Sequence, residues 1–191
     1  MTSLKKITVY ALAAGFLCLV APSCSNEKDS KEIAEDSNDA KFDGKTEKDA
    51  DYLANSYLSN LFEIQVSQHA AANAYTADVK ELAAMLVEKH TKMNNDIRAL
   101  AEQKSVTLPT DLTDDQRDKI TKLSEKTGIE YDKEYTSMMK DKHEDAVKTY
   151  SKIANNAEDA EVKNWASNTI TEVQSHLGMV QGSCNRLKDM K

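Results

Sequence analysis

Glu63, His90, His143 and His176 are the side chains of this sequence best suited to hold a metal ion, because imidazole and carboxylate together ligate zinc, iron, copper or manganese. Three of them interrupt apolar patterns. Val79, Ala83, Leu86, His90, Met93, Ile97 and Leu100 recur at steps of four and three, the spacing of an inward helical seam. Val162, Ala166, Thr169, Val173, His176, Val180 and Leu187 repeat that spacing, and Tyr135, Met139, His143, Ala146, Tyr150 and Ile153 share an arc of a third segment. Around Glu63 the seam is more polar, with Tyr52, Ser56, Ser59, Val66, Ala70 and Asn73, beside a flank of Leu58, Leu61 and Phe62.

Spacing also sets their height along the helices. Glu63 lies about 13 residues before a turn near Thr76 and His90 about 14 after it, so at ~1.5 Å per residue the two are level. His143 lies about 14 residues before a second turn near Ala157, at a similar height. His176 lies about 19 residues after that turn, an offset of roughly 7 Å, and Glu172, one turn earlier, matches better. The candidate ligands are therefore Glu63, His90, His143, His176 and Glu172. Two readings fit them: a transition-metal site in a bundle core, or neutral histidines bonded to Glu63, Glu172 or water in a polar layer that sets packing register.

Other residues carry less. His69 falls about 120° around the helix from Glu63, on a flank. Met138, Met139 and Met179 are soft ligands for copper, but methionine at helical spacing fills cores. There is no nucleophile pattern, glycine-rich phosphate loop or Cys-x-x-Cys pair. A metal-activated water is the one chemistry left to an enzyme, and the reading leans away from one.

Helices must position these residues. From about Asp49 to Leu187 there are three glycines and one proline, and alanine, leucine, glutamate and lysine abound. Four long helices follow, over about Asp49 to Tyr75, Ala77 to Lys104, Ile129 to Asn155 and Ala160 to Leu187, the last with Asp159 as N-cap. Short turns make two antiparallel hairpins. Between them, Ser105 to Gly128 passes through Pro109 and a helix start at Thr113-Asp114-Asp115-Gln116, and is long enough to cross the molecule lengthwise. The expected fold is all-α: a ferritin-like four-helix bundle, up-down-down-up, with a long crossover between the second and third helices. Up-down-up-down is the alternative.

The N-terminus reads differently. Lys5 and Lys6, an apolar run from Ile7 to Val20, and small residues at Ala21, Pro22 and Ser23 follow the plan of a signal peptide. About 14 apolar residues fall short of the roughly 20 that span a bilayer. Val20-Ala21-Pro22-Ser23-Cys24 resembles a lipobox, which makes Cys24 the lipid-carrying first mature residue, although Ala21-Pro22-Ser23 also suits ordinary signal peptidase. The acidic stretch after Cys24 resembles export signals of Bacteroidota lipoproteins. Expected domains are a signal peptide over 1–23, a disordered acidic tether over 24–48 and the helical bundle over 49–191. The expected location is the bacterial envelope, as an outer-membrane lipoprotein held to the membrane by Cys24.

The formal charge of −7 becomes −9 when Lys5 and Lys6 leave with the leader, and no basic patch interleaves with aromatics. Nucleic acid is excluded as a partner. With Cys18 removed and Cys24 acylated, Cys184 stands alone as a packed thiol; without acylation a Cys24–Cys184 bridge becomes available in an oxidising envelope.

Several stretches together resemble a bacterial family, domain of unknown function 4142, described as ferritin-like. They are Asn60-Leu61-Phe62-Glu63-Ile64, Met85 to Thr91, Val106 to Thr110, Gly128 to Tyr135, His143-Glu144 and Ser175-His176-Leu177, within about Tyr52 to Gln181. The resemblance implies Glu63, His90, Asp132, Tyr135, His143 and His176 as typical polar positions. Asp132 lies three turns from His143 and cannot share its site. Lys89 replaces the family's usual aspartate, and Ile170-Thr171 its usual Leu-Pro. Carboxylates are too few for a di-iron site and Glu-x-x-His pairs are absent, so oxidase chemistry is not implied. The functional expectation is an envelope lipoprotein binding a transition metal; the alternative is a non-catalytic module whose Glu/His layer is metal-free and whose surface binds a partner.

Overall fold

Local signals start and stop most of the helices. The Thr76 side chain accepts from Val79 N–H, Asp159 accepts from Glu161 and Val162 N–H, and Thr113 forms a reciprocal capping box with Gln116. Ser105 closes a long helix in the left-handed region, φ 58°, and Gly128 opens another at φ 59°, where glycine avoids the Cβ clash. The computed structural model describes residues 28–191. Its helices are α1 (Ser30–Asp39), α2 (Gly44–Asn73), α3 (Ala77–Lys104), α4 (Asp114–Ser124), α5 (Gly128–Asn156) and α6 (Ala160–Leu187). No strand occurs among the described residues, and none of these helices is long and apolar enough to cross a membrane. Cys24 and the leader lie outside the described residues.

α2 and α3 form one antiparallel hairpin, α5 and α6 another. Polar contacts at the ends fix how the hairpins face each other. Asp132, near the start of α5, accepts from the backbone N–H of Tyr75 and Thr76 just after α2, at 2.7 and 2.8 Å. Asp49, early in α2, accepts from the N–H of Glu158 and Asp159 just after α5. At the ends of α3, Lys104 pairs with Asp159, and Asp78 takes bonds from Ser183 and Arg186 of α6. Thus α5 runs against α2 and α6 against α3, giving the up-down-down-up order. The stretch from Ser105 to Thr127 carries the chain from one end to the other, with α4 laid across α2 and α5 over buried Leu112 and Leu123.

The two hairpins share a plan at a constant offset of 83 positions. Asp49 and Asp132, Tyr52 and Tyr135, Asn73 and Asn156, Ala74 and Ala157, Val79 and Val162, Lys80 and Lys163, and Ala83 and Ala166 all correspond. α3 and α6 are each 28 residues long. The apolar core is in two parts. One gathers Phe62, Val66, Leu86, Tyr135, Met139 and Val180; the other gathers Leu53, Met93, Ile97, Ile153, Val162 and Val173. Glu63, His90, His143 and His176 lie on the same helices at heights between these groups.

The reading of residues 24–48 as a disordered tether is corrected over the part described. Asp29 caps α1 by accepting from Lys31 and Glu32 N–H, Ala34 and Asn38 are buried, and α2 begins at Gly44 rather than near Asp49. The physical reason is polar docking. Asn38 exchanges two bonds with the Thr107 backbone at 2.8 and 2.9 Å, Ser30 bonds the Asp111 carbonyl, and Lys41 bonds the Thr107 hydroxyl. Composition measures apolar burial and misses a segment held to a distant loop by hydrogen bonds.

Candidate metal centre

Each long helix contributes one inward group at mid-height. α2 brings Glu63, α3 His90, α5 His143 and α6 His176, and all are buried, at 2, 2, 0 and 4 % exposure. The three imidazole rings form a triangle, with centroids 5.3 Å apart for His90–His143 and His90–His176 and 5.7 Å for His143–His176. Glu63 Oε2 sits 3.6 Å from His90 Nε2 and 3.6 Å from His143 Nδ1.

Hydrogen-bond partners decide which ring nitrogens carry protons. His143 Nδ1 lies 2.8 Å from the Met139 carbonyl, which only accepts, so Nδ1 bears the hydrogen and Nε2 keeps its lone pair. His90 Nδ1 lies 2.9 Å from Asn60 Oδ1, and in the tautomer that donates to this oxygen its Nε2 is bare as well. Those two bare nitrogens face each other at 3.3 Å. Glu63 Oε2 and His176 Nδ1 have no hydrogen-bond partner among the described residues. Two imidazole nitrogens and a carboxylate oxygen thus converge, and the N–H nearest the oxygen, that of His143 Nδ1, is taken by the Met139 carbonyl. An imidazole whose far N–H is fixed by a carbonyl or amide oxygen is the usual form of a metal ligand.

Burial disfavours charge throughout this cluster. It lowers the His90 pKa to about 3, with the neighbouring His143 adding to the effect. His176 falls to about 4, chiefly through burial and then through His90 and His143. Both are neutral near pH 7, so the approach of Glu63 to His90 is not an ion pair. Burial pushes the Glu63 carboxyl up, opposed by His143, Lys142, His176 and a hydrogen bond from the Ser59 hydroxyl. A cation would relieve all these groups together.

The donor set suits such an ion. One nitrogen from each histidine can be chosen so that all three lie within 4.8 Å of one another. A tetrahedral zinc site with ~2.05 Å bonds needs nitrogens about 3.3 Å apart. His90 and His143 already meet that spacing.

Glu172 is not part of this cluster. It is exposed on α6. At about 100° per residue its Cβ points well away from neighbouring Val173 on the buried seam, and its charge acts on Lys92 at the surface. Height along the helix was matched, but direction was not. Asp132 stays at its turn, fully buried, and Tyr135 bonds Ser67 at 2.9 Å. His69 bonds the Tyr131 hydroxyl at 2.7 Å, on a flank as expected. Met139 is core, Met179 is exposed, and exposed Lys89 points its ammonium toward Glu88, 3.9 Å away. Asn60, which meets His90 Nδ1, is the member of the buried cluster that sequence reasoning missed. Its signal was its position three residues before Glu63, on the same face, and its match to His143 at the 83-residue offset.

On one side α2 and α5 part to leave a cavity of about 660 Å³. Ser56, Asn60 and Glu63 line one wall, and Lys142, Ala146 and Tyr150 the other. Pro109 and Val106 help line a separate groove of about 460 Å³ beneath the connection, remote from the histidines.

Comparison with known proteins adds the fold and the family. The crystal structure of a conserved hypothetical protein, rv2844, from Mycobacterium tuberculosis superposes with a TM-score of 0.50, covering 81 % of this chain and 93 % of that one. Identity is 14 %, so the likeness is one of fold. No curated protein matches the chain. The family described as Domain of unknown function (DUF4142) matches over residues 34–182, most of the chain and all four helices of the cluster, and the chain belongs to that family.

Proposed function

We propose that this protein is a ferritin-like four-helix bundle that binds one transition-metal ion through His90, His143 and His176, with Glu63 supplying negative charge, and that it is held in the bacterial envelope by a lipid on Cys24. The observation that carries the metal reading is the pair of bare Nε2 atoms facing each other at 3.3 Å, beside an unpartnered carboxylate oxygen. Three imidazoles favour zinc, copper or iron over magnesium or calcium, which prefer all-oxygen shells. Because His90 and His176 are neutral near pH 7, binding need not displace their protons. The lipid anchor rests on the leader pattern alone, and labelling with a fatty-acid analogue tests it: Cys24→Ser should abolish incorporation.

A metal-free polar layer is the second reading. It is favoured by the 3.3 Å separation, which becomes an ordinary N–H···N bond if the Asn60 amide turns and His90 moves its proton to Nε2. Metal analysis of the untagged mature chain separates the two. Near-stoichiometric metal, absent from a His90→Ala/His143→Ala variant, together with a melting point lowered by chelator, supports the site. A chain that takes up no zinc, copper or iron and melts identically with chelator leaves the polar layer.

A further inference from the structure

We propose that the groove between α2 and α5 is the port through which a hydrated divalent transition cation reaches and leaves the histidine cluster, so that the ion is exchangeable cargo and Glu63 meets it first. This rests on the metal reading above and adds a route to it. Of the four proposed ligands, Glu63 alone lines the groove. It is 2 % exposed, and its Oε2 is without a partner among the described residues. Asn60, also 2 % exposed, lines the same wall beside Glu63, with its Oδ1 against His90 Nδ1 at 2.9 Å. A structural ion is normally enclosed by its ligands, whereas here one ligand faces a cavity of about 660 Å³.

Charge around the groove favours cations. Asp51, Glu134, Asp141 and Asp145 outnumber Lys119 and Lys142, and a cleft of one dominant sign concentrates counter-ions. Lys142, on the wall facing Glu63, has its ammonium 5.0 Å from the Phe62 ring and no ion pair among the described residues. Its charge acts on Glu63. It serves as the cation that an arriving metal displaces, and its four-carbon stem lets it swing outward. Ala146, which matches Glu63 at the 83-residue offset, leaves the opposite wall open where a larger side chain would fill it.

Zinc(II) uptake, and its release to a chromogenic chelator, measured by stopped flow on the mature chain test the port. Ala146→Phe should slow uptake and release together, by about tenfold or more, with little change in equilibrium affinity. Asp141→Lys/Asp145→Lys, on exposed positions, should slow uptake about threefold to tenfold at low salt, with the difference vanishing at high salt and release unchanged. Should Ala146→Phe fail to fold, the charge variant decides. Variants that bind zinc and exchange it at the wild-type rate overturn the port while leaving the site standing. A wild-type chain that takes up no zinc overturns both.

Discussion

Asp132 and Glu63 are both buried carboxylates on facing helices, at 0 and 2 % exposure, yet their surroundings are opposite. Asp132 receives the N–H of Tyr75, the N–H of Thr76 and the Thr76 hydroxyl, at 2.7, 2.8 and 2.6 Å. Glu63 has no such set: its Oε2 lacks a hydrogen-bond partner among the described residues, and the Ser59 hydroxyl gives its carboxyl a single supporting bond. A buried charge with its bonds made holds a fold together; one without them strains it unless another charge arrives. Asp132 recurs as Asp49 at the other turn, whereas Glu63 is matched by Ala146, Asn60 by His143 and His90 by Val173. The duplicated plan is kept where it joins the hairpins. At the centre, where the metal reading lies, it is broken.

Substitutions should split these two classes by sign. Asp132→Ala orphans two backbone N–H groups and a hydroxyl, and should lower the unfolding free energy by about 3 kcal/mol. Asp49→Ala should follow at about 2 to 3 kcal/mol. Urea denaturation would measure both, and a change below 1 kcal/mol at either turn, taking ~1 kcal/mol as one ordinary bond, would break the comparison from its structural side.

Acid should act mainly on the central layer. His90 and His176 have folded pKa values near 3 and 4 against an ordinary 6.5, so the unfolded chain binds more protons between those limits. Stability present above pH 6.5 should therefore fall as pH drops toward 4. Glu63, raised by burial, works the other way: its contribution declines as pH rises above its ordinary 4.5. A His90→Gln/His176→Gln variant should show a flatter urea midpoint between pH 6.5 and 4. An unchanged slope would mean that these rings do not stay neutral on folding.

Glu63→Gln replaces the buried carboxyl, whose ionised form burial disfavours, with an amide of equal shape. It should raise the stability of the metal-free chain by about 1 to 2 kcal/mol, opposite in sign to Asp132→Ala, while weakening zinc(II) binding by about tenfold or more. A destabilised Glu63→Gln chain would show that the carboxylate is satisfied after all. The smallest effect is expected for Asn60→Ala, which frees the His90 ring and should weaken zinc(II) about tenfold, with about 1 kcal/mol lost from folding. Calorimetric titration beside urea melts would report both quantities.

Much of this was legible before any fold was known. The four seams, the two turns, the long connection and the caps at Thr113 and Asp159 are local patterns, and a helix's period is written into successive residues. Glu63, His90 and His143 could be brought to one level, and His176 to within about 7 Å of it, because rise per residue is constant. Glu172 failed because height alone was used, and facing decides burial. Asn60 and Lys142 were missed because neither is unusual until the residue opposite is known. α1 was missed because its hold on Thr107 joins positions almost seventy residues apart.

By itself, the sequence determined an all-helical chain, its order of long helices and the four polar side chains on their inner faces, since these follow from backbone periodicity. Tertiary structure alone decided that the Met139 carbonyl and the Asn60 amide meet the Nδ1 atoms of His143 and His90, that Glu63 opens onto a groove, and that Asp49 and Asp132 close the opposite turns. Those outcomes depend on directions between helices, to hydrogen-bond tolerances of a few tenths of an ångström, and no pattern along one helix contains them.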